Sequence, residues 1–459
     1  MNELLNISPI DGRYKNKTKE LEKYFSEYAL IKYRLFIEIS WIKFIINENI
    51  IDEKIAPSEE KKINDIYENF DLKEAKKVKK IENTVKHDVK AIEYYLQEKF
   101  INIKLERLIP FIHITLTSED INNTSYNLMI SDALNNVYYK NFELLLSKLD
   151  LLSEKYKGIS MLGHTHGQIA TPTTVGKELK VFSYRLKSVL NLLKDLKLRS
   201  KFSGAVGNYN CHVVAFPDVD WIKETKKFVE SLDLEYNPLT TQIESHDFVC
   251  ILLSYLKVLN NIIKDLNSDM WLYISNNYFY EKSNNKEVGS SVMPHKVNPI
   301  NHENSMANIE MSNSLIDALV NNLSISRMQR DLSDSSKMRN IGVIVAHSLI
   351  SIKETLVGLS KLEVNEELLN SELDNHYEVL TEAIQTMLRK NKVNNAYELL
   401  KKLSRGKKIT KKDIKDFVNK LDINKEDKKV LLELEPKDYI GLCEKIVDNN
   451  LVISDILKI

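Results

Sequence analysis

In a chain of 459 residues with only 12 glycines, the run Gly289-Ser290-Ser291-Val292-Met293-Pro294-His295-Lys296-Val297-Asn298-Pro299 stands out. Two hydroxyls follow a glycine, a lysine and an asparagine come next, and two prolines forbid helix. The expectation is a mobile loop that presents a nucleophile or base beside an anion site. An ordinary polar connection has the same composition. A second run, Gly163-His164-Thr165-His166-Gly167-Gln168, leads into Thr171-Pro172-Thr173-Thr174, which caps the helix that follows. Its alternating histidines lack a cysteine or carboxylate at ligand spacing, so proton exchange near neutral pH suits them better than a metal. Thr117-Ser118-Glu119-Asp120-Ile121-Asn122-Asn123 has the pattern of a capping box, Thr117 with Asp120, and its hydroxyls and free helix-end amides also suit a carboxylate. Between Arg327 and Arg339, Arg330, Ser335 and Arg339 surround Asp331 and Asp334. Such a group is either a phosphate site or an internal salt-bridge network.

The elements that must position these groups are helices. Twelve glycines and nine prolines in 459 residues are about 2.6% and 2.0%, against roughly 7% and 5% in average proteins. Few turns imply few strands, and the chain is expected to be all-α. Apolar residues recur at helical spacing over 26–49, 125–156, 174–200, 243–282, 303–324 and 339–361. Gly158 is the expected cap of the second of these. From Phe248 to Ile274 apolar side chains cover nearly the whole circumference, so that helix must be enclosed by others, some from partner subunits. Lysines and aspartates interrupt it, which argues against a bilayer span. Length alone suggests about three domains. They are placed at 1–111 (amino-terminal, helical), 112–363 (central long-helix bundle) and 364–459 (carboxyl-terminal, helical, with Thr410 as a helix cap).

Sixty-five basic residues balance 65 acidic ones, so no global field favours nucleic acid or an acidic membrane, and any anion site must be local. Cys211, Cys250 and Cys443 form no disulfide framework and have no metal-ligand spacing, which points to a reducing cytoplasm. Nothing at the amino terminus has the pattern of a signal peptide.

The 289–299 run resembles the loop that characterises the fumarase and aspartase superfamily. Ser8-Pro9-Ile10-Asp11-Gly12-Arg13-Tyr14, Lys86-His87-Asp88, Thr117 to Asn123, Thr165-His166-Gly167-Gln168 and Arg330-Asp331-Leu332-Ser333-Asp334-Ser335 resemble its adenylosuccinate lyase branch, in the bacterial form. The resemblance spans nearly the whole chain. It implies a homotetramer built on a shared long-helix bundle, active sites drawn from three subunits, and neither a metal nor an organic cofactor. It also implies anti β-elimination of fumarate from adenylosuccinate, leaving AMP, and from the succinyl-carboxamide ribotide earlier in purine synthesis.

By the same resemblance Ser290 is the base and His166 the general acid, with the reverse assignment as runner-up. Glu303 orients the histidine, and Lys296 with Asn298 stabilises the carbanion. Thr117, Ser118, Gln242 and Ser291 join them at the succinyl end. Arg13, Tyr14, Arg330, Ser335 and Arg339 take phosphate and ribose, Asn304 makes a polar contact, and Lys86, His87 and Asp88 meet the nucleotide. Lys86 departs from the asparagine of bacterial relatives. The rival readings are another lyase of the superfamily such as argininosuccinate lyase, a catalytically silent structural homologue, and a regulator that binds AMP without turnover.

Overall fold

The computed structural model describes residues 3–282, 297–404 and 409–448. Ser26 opens α1 (Glu27–Asn47), its hydroxyl accepting the Ala29 N–H at 3.1 Å. Helix α2 (Leu72–Val85) stops at Lys86, which is left-handed at φ 57°, and His87 caps α3 (Asp88–Asn102). Lys86-His87 is therefore a sharp turn between two helices. Helix α4 (Ser118–Ala133) passes through one π turn, Leu134–Tyr138, into α5 (Tyr139–Lys155).

The cap expected at Gly158 is corrected by the structure. Gly158 is not among the glycines with positive φ, and the chain turns there through an Ile159 N–H to Tyr156 carbonyl bond of 3.1 Å. A Cβ at this position would stand 3.3 Å from the Glu444 carboxylate, so close approach rather than backbone freedom favours glycine.

Strand β1 (Ser160–Thr165) pairs antiparallel with β2 (Gln168–Thr174), with a register shift between Met161 and Gly163. Helix α6 (Val175–Asp195) follows, capped by the Thr174 hydroxyl at 3.3 Å from the Lys177 N–H. Short β3 (Arg199–Ser200) and β4 (Glu235–Tyr236) are parallel. Next come α7 (Asp247–Ser275), β5 (Phe279–Glu281), α8 (Ile300–Val320), the short α9 (Ser333–Met338), α10 (Ile341–Lys361) and β6 (Leu362–Val364), which pairs with β5. Among the described residues there are three two-stranded pairings and otherwise helices, as the scarcity of turn residues implied.

The chain divides into two compact units, each made of separated segments. The first comprises the chain up to Phe142, Val189–Asn261 and Ala307–Lys353. Its aromatic centre joins Trp41 to Phe202 and Phe228, with ring centroids 4.6 to 5.1 Å apart. A buried polar seam runs beside it: Ser348 donates to Asn260 Oδ1 at 2.6 Å, Asn260 Nδ2 donates to Ser312 at 3.1 Å, and Tyr138 meets Ser348 at 2.9 Å. A satisfied buried network of this kind fixes one helix register, because any slip strands its polar groups.

The second unit comprises Glu143–Ser188, Ile262–Met306 and the chain from Glu354. Its seam is Asn267, whose Nδ2 donates to Ser305 at 3.2 Å and Thr355 at 2.8 Å, while its Oδ1 meets His302 Nδ1 at 2.7 Å. Gly358 allows this histidine in, since a Cβ there would fall 2.7 Å from His302 Nε2. Beyond β6 the helices shorten: α11 (Glu366–Asp374), α12 (Thr381–Lys390), α13 (Ala396–Ser404), α14 (Lys411–Asn419) and α15 (Lys425–Glu433). Leu373, Leu380, Ile384, Leu388, Ile414, Val418 and Leu431 form their core. Thr410 and Asp413 form a complete capping box, with bonds of 2.9 and 3.3 Å.

Helix α7 buries Leu252, Leu253, Leu256, Leu259, Ile263, Leu266 and Met270. Ile251, Val258, Trp271 and Leu272 stay 39 to 51% exposed, so the enclosure expected around its whole circumference is incomplete within one chain. The stretch Ser333–Lys361 is apolar and long enough to cross a bilayer by composition, but 72% of its most apolar window is buried in protein, as in a core helix.

Candidate active site

Helix α4 begins at one of the expected anion sites. The Asp120 carboxylate accepts the Thr117 N–H at 2.8 Å, the carboxylate half of the capping box. It does more than cap. Asp120 Oδ1 lies 2.7 Å from Lys201 Nζ, with both side chains at 0% exposure, and also accepts the Ser203 N–H at 3.1 Å, while Oδ2 accepts the Gly204 N–H at 3.2 Å. Lys201 Nζ donates further to the Gly204 carbonyl at 2.8 Å. A buried lysine persists only when paired and hydrogen-bonded in this way. The loop after β3 is thereby anchored to the helix end that carries Thr117 and Ser118, both half-buried.

The same unit assembles Arg330. Its Nη1 donates to Gln242 Oε1 at 3.2 Å, and its Nη2 donates to Ser335 Oγ at 3.3 Å and pairs with Glu119 at 3.2 Å. Arg330 Nε has no hydrogen-bond partner among the described residues, and 18% of the side chain remains exposed. Gln242 is itself fixed by donating to the Ala205 carbonyl at 2.9 Å. The result is a guanidinium fork spread over hydroxyl, amide and carboxylate, suited to an oxyanion.

Behind it stand Glu119, His246 and Asp334, all buried, each offering an atom within 4.8 Å of the others. His246 Nε2 is 3.5 Å from Asp334 Oδ2, an ion pair too long to count as a formed hydrogen bond. Burial pushes the Glu119 carboxyl up to about 7 against the pull of Arg330, His246 and Lys201. Burial opposes the charged form of His246, yet Asp334, Glu244 and Glu119 together raise its pKa. Within this cluster Glu119 is also paired with the Arg330 guanidinium, at 3.2 Å.

Arg339 does not join Arg330 around Asp331 and Asp334, which corrects the grouping expected from the sequence. The six-residue α9 separates them by a rise of about 9 Å. Arg339 instead pairs with Glu27 at 2.7 Å and Asp88 at 3.3 Å. Asp88 also takes Arg34 at 2.8 Å and the Val89 N–H at 2.9 Å. Burial would raise its pKa, but the Arg34 charge and hydrogen bond, the Val89 N–H and the Arg339 charge together outweigh this and hold it below the usual carboxylate range. Beside it the exposed His87 accepts the Lys90 N–H through Nδ1 at 3.1 Å. Arg13 is exposed and Tyr14 half-buried in the turn before residue 15, where the Tyr14 N–H bonds to the Pro9 carbonyl at 2.8 Å. Asp331 turns inward on its own loop, accepting the Arg327 and Ser333 N–H groups at 3.1 and 2.8 Å.

In the second unit His166 occupies the tip of the β1–β2 hairpin. His166 at φ 53° and Gly167 at φ 73° are the two residues between Thr165 and Gln168, the positive pair that a type I′ turn requires. The turn leaves the histidine side chain exposed at the tip. The His166 ring makes no hydrogen bond or ion pair among the described residues. Glu303, in the first turn of α8, accepts the Trp271 Nε1–H at 3.1 Å, so the pairing of Glu303 with His166 is not closed within a single chain. Asn298 precedes α8, its carbonyl accepting the Ile300 N–H at 2.8 Å, and Asn304 is half-buried within that helix. Ser290, Ser291 and Lys296 lie outside the described residues.

The sequence reading missed Glu119, His246, Asp334 and Lys201 as parts of the site. Glu244-Ser245-His246-Asp247 offered a signal, a histidine between carboxylates just before a long apolar helix. Nothing in the sequence distinguishes Lys201 from the other lysines.

Two family models cover most of the chain: one described as lyase matches residues 12–312, and one described as adenylosuccinate lyase C-terminal matches residues 326–440. Among solved structures, a fumarate lyase from Mesorhizobium sp. BNC1 superimposes with a TM-score of 0.75 at 17% identity, covering 94% of this chain and 97% of that one. A β-carboxy-cis,cis-muconate cycloisomerase from Acinetobacter calcoaceticus gives 0.72 at 17%, with 94% and 96% covered. The long-helix fold is thus that of the fumarate lyase superfamily. Within it, the adenylosuccinate lyase of Buchnera aphidicola subsp. Schizaphis graminum is 46% identical over 451 residues, 98% of this chain and 99% of its own. That of Legionella pneumophila strain Philadelphia 1 is 46% identical over 444 residues (96% and 97%), and that of Escherichia coli K12 is 42% identical over 451 (98% and 99%). The chain belongs to the adenylosuccinate lyase family.

Proposed function

We propose that this protein cleaves adenylosuccinate to AMP and fumarate, and the succinyl-carboxamide ribotide to its carboxamide product and fumarate, by anti β-elimination. The observation that carries the substrate choice is the Arg330 fork, held ready by Gln242, Ser335 and Glu119 and still open to a ligand. A lyase acting on argininosuccinate, fumarate or aspartate would have no phosphate to place against it.

The proton removed sits on the carbon beside a carboxylate and is a very weak acid, so its loss requires donors around the developing dianion. In this reading Ser290 takes the proton while Lys296, Asn298 and the α4 end at Thr117 and Ser118, with Gln242 and Ser291, hold the succinyl carboxylates. The electron pair left on carbon forms the double bond of fumarate as the carbon–nitrogen bond breaks. The departing amine cannot leave as an anion, and His166, oriented by Glu303, gives it a proton. Arg13, Tyr14, Arg330, Ser335 and Arg339 take the phosphate and ribose, with Asn304, Lys86 and His87 nearby. Asp88 acts through Arg339, since its oxygens are already committed to cations and to the Val89 N–H. Each charge-assisted bond contributes about 1.5 to 3 kcal/mol.

We further propose a cytoplasmic homotetramer with sites shared between subunits. Exposed apolar side chains along the long helices support it: Leu144, Leu151, Val258, Trp271, Leu272 and Met311. Incubating the purified protein with adenylosuccinate and following fumarate tests the activity. Absence of fumarate from the intact oligomer would sink it.

A further inference from the structure

Buried charge near Arg330 does not balance. Lys201 and Asp120 neutralise one another at 2.7 Å. That leaves Glu119, Glu244 and Asp334, at 3, 2 and 5% exposure, facing Arg330 and His246. Three carboxylates against two cations, even with His246 protonated, leave the cluster one proton short of neutrality. The groups come from four separate stretches: Glu119 and Asp120 from α4, Lys201 from the segment after β3, Glu244 and His246 from the approach to α7, with Asp247 acting on Glu244, and Arg330 and Asp334 from the segment around the start of α9; the buried His212 beside Asp120 and Lys201 has its pKa lowered, chiefly by burial.

Two of these groups are already spoken for. Glu244 accepts the Asn237 amide at 2.9 Å and the His246 N–H at 2.8 Å, and Asp334 accepts the Ser335 N–H at 2.8 Å and faces His246. Among these three carboxylates, Glu119 is the one in direct ion-pair contact with Arg330, at 3.2 Å. An incoming phosphate must share that guanidinium with a buried carboxylate of the same sign.

We propose that Glu119 is the proton acceptor of the Arg330 site. As a dianionic phosphate group settles against the guanidinium, a solvent proton binds a Glu119 carboxylate oxygen, and the ligand replaces that carboxylate as the counter-ion. His246 and Asp334 are positioning residues: the left-handed His246, at φ 61°, holds its ring toward Asp334, which in turn holds the backbone next to Ser335. The raised affinity of Glu119 for protons, caused by burial, agrees with this. The inference rests on the reading of Arg330 as a phosphate site and adds a proton to it.

The test is calorimetric titration of the intact protein with AMP at pH 8, in two buffers of different ionisation enthalpy, which gives the protons exchanged on binding. The wild type should take up a large part of one proton per chain relative to Glu119→Gln, which removes the titrating group while keeping the side-chain shape; the comparison cancels any titration of the ligand. Equal proton counts in the two proteins would overturn the inference and leave the phosphate reading standing. If Arg330→Gln binds AMP as tightly as the wild type, the phosphate reading fails and the inference falls with it.

A second measurement needs no variant. Above about pH 7.5 a phosphate monoester is almost entirely dianionic, its second pKa being roughly 6. The wild-type Kd for AMP should therefore rise between pH 7.5 and 9, approaching about tenfold per unit, and a flat profile would overturn the proposal.

Discussion

Asp120 and Lys201 form an ion pair of 2.7 Å in which neither side chain reaches solvent. The two partners are not equivalent. Asp120 also serves the N–H groups of Thr117, Ser203 and Gly204, whereas among the described residues Lys201 Nζ serves in addition only the Gly204 carbonyl. Lys201→Met should destabilise the protein by about 3 to 5 kcal/mol, because it leaves a buried carboxylate without its cation. Asp120→Ala should cost more, since it strands a buried ammonium and three N–H donors at about 1 to 3 kcal/mol each. Urea denaturation at fixed protein concentration measures both. Equal or smaller loss for Asp120→Ala would show that the loop after β3 is held by something else.

That pair marks where sequence reading stopped. Helical spacing located the long helices, with ends off by up to seven residues, as for 243–282 against Asp247–Ser275, and Ser/Thr chemistry located the caps at Thr174 and Thr410, because both are local properties. Lys201 looked like any other lysine, since burial of a cation depends on Asp120, 81 positions away. Glu119, His246 and Asp334 failed for the same reason: three segments meet only in the fold. The β1–β2 hairpin was recognised as a chemical cluster but not as strands, because its glycines, threonines and single proline, Pro172, lack clean alternation. Its His166-Gly167 tip follows from that missed turn.

A pH effect on stability is expected from His113, whose Nδ1 lies 2.6 Å from the fully buried Glu38. Burial opposes the charged ring, but the Glu38 charge and hydrogen bond prevail and raise its pKa above the ordinary value. A raised folded-state value means this stabilisation is complete below about pH 6.5, the unfolded value, and is lost as pH rises through the folded one. His113→Asn tolerates the left-handed backbone at φ 57° and removes the charge. The wild type should exceed this variant in denaturation midpoint by more at pH 6 than at pH 9. The opposite ordering would mean that the ring is neutral in the folded protein.

Arg330 presents a planar fork to Gln242 and Ser335, with Glu119 beside it. Lysine retains the charge but not the fork. Arg330→Lys should raise KM for adenylosuccinate by about one to two orders of magnitude, corresponding to the loss of one charge-assisted bond of about 1.5 to 3 kcal/mol, with a smaller change in kcat because the phosphate lies away from the bond that breaks. Steady-state kinetics with circular dichroism as the folding control decides this. An unchanged KM would remove Arg330 from the substrate site.

The assignment of acid and base, and the sharing of sites, are testable together. His166 has no polar partner among the described residues of its own chain, and Glu303 is engaged by Trp271, which agrees with a site shared between subunits. Ser290→Ala and His166→Ala should each lose several orders of magnitude in kcat while still binding substrate, as expected for groups that move protons in the transition state. If a hairpin tip from one subunit meets the 289–299 segment of another, mixed oligomers of the two variants contain some sites with neither substitution. Activity should then return after subunit exchange, to about a quarter of wild type at most when random mixing supplies one intact site in four. Exchange confirmed by mass labelling without recovery would place His166 and Ser290 on the same chain and refute the shared geometry. A Ser290→Ala variant that turns over near the wild-type rate would reverse the roles and make the histidine the base.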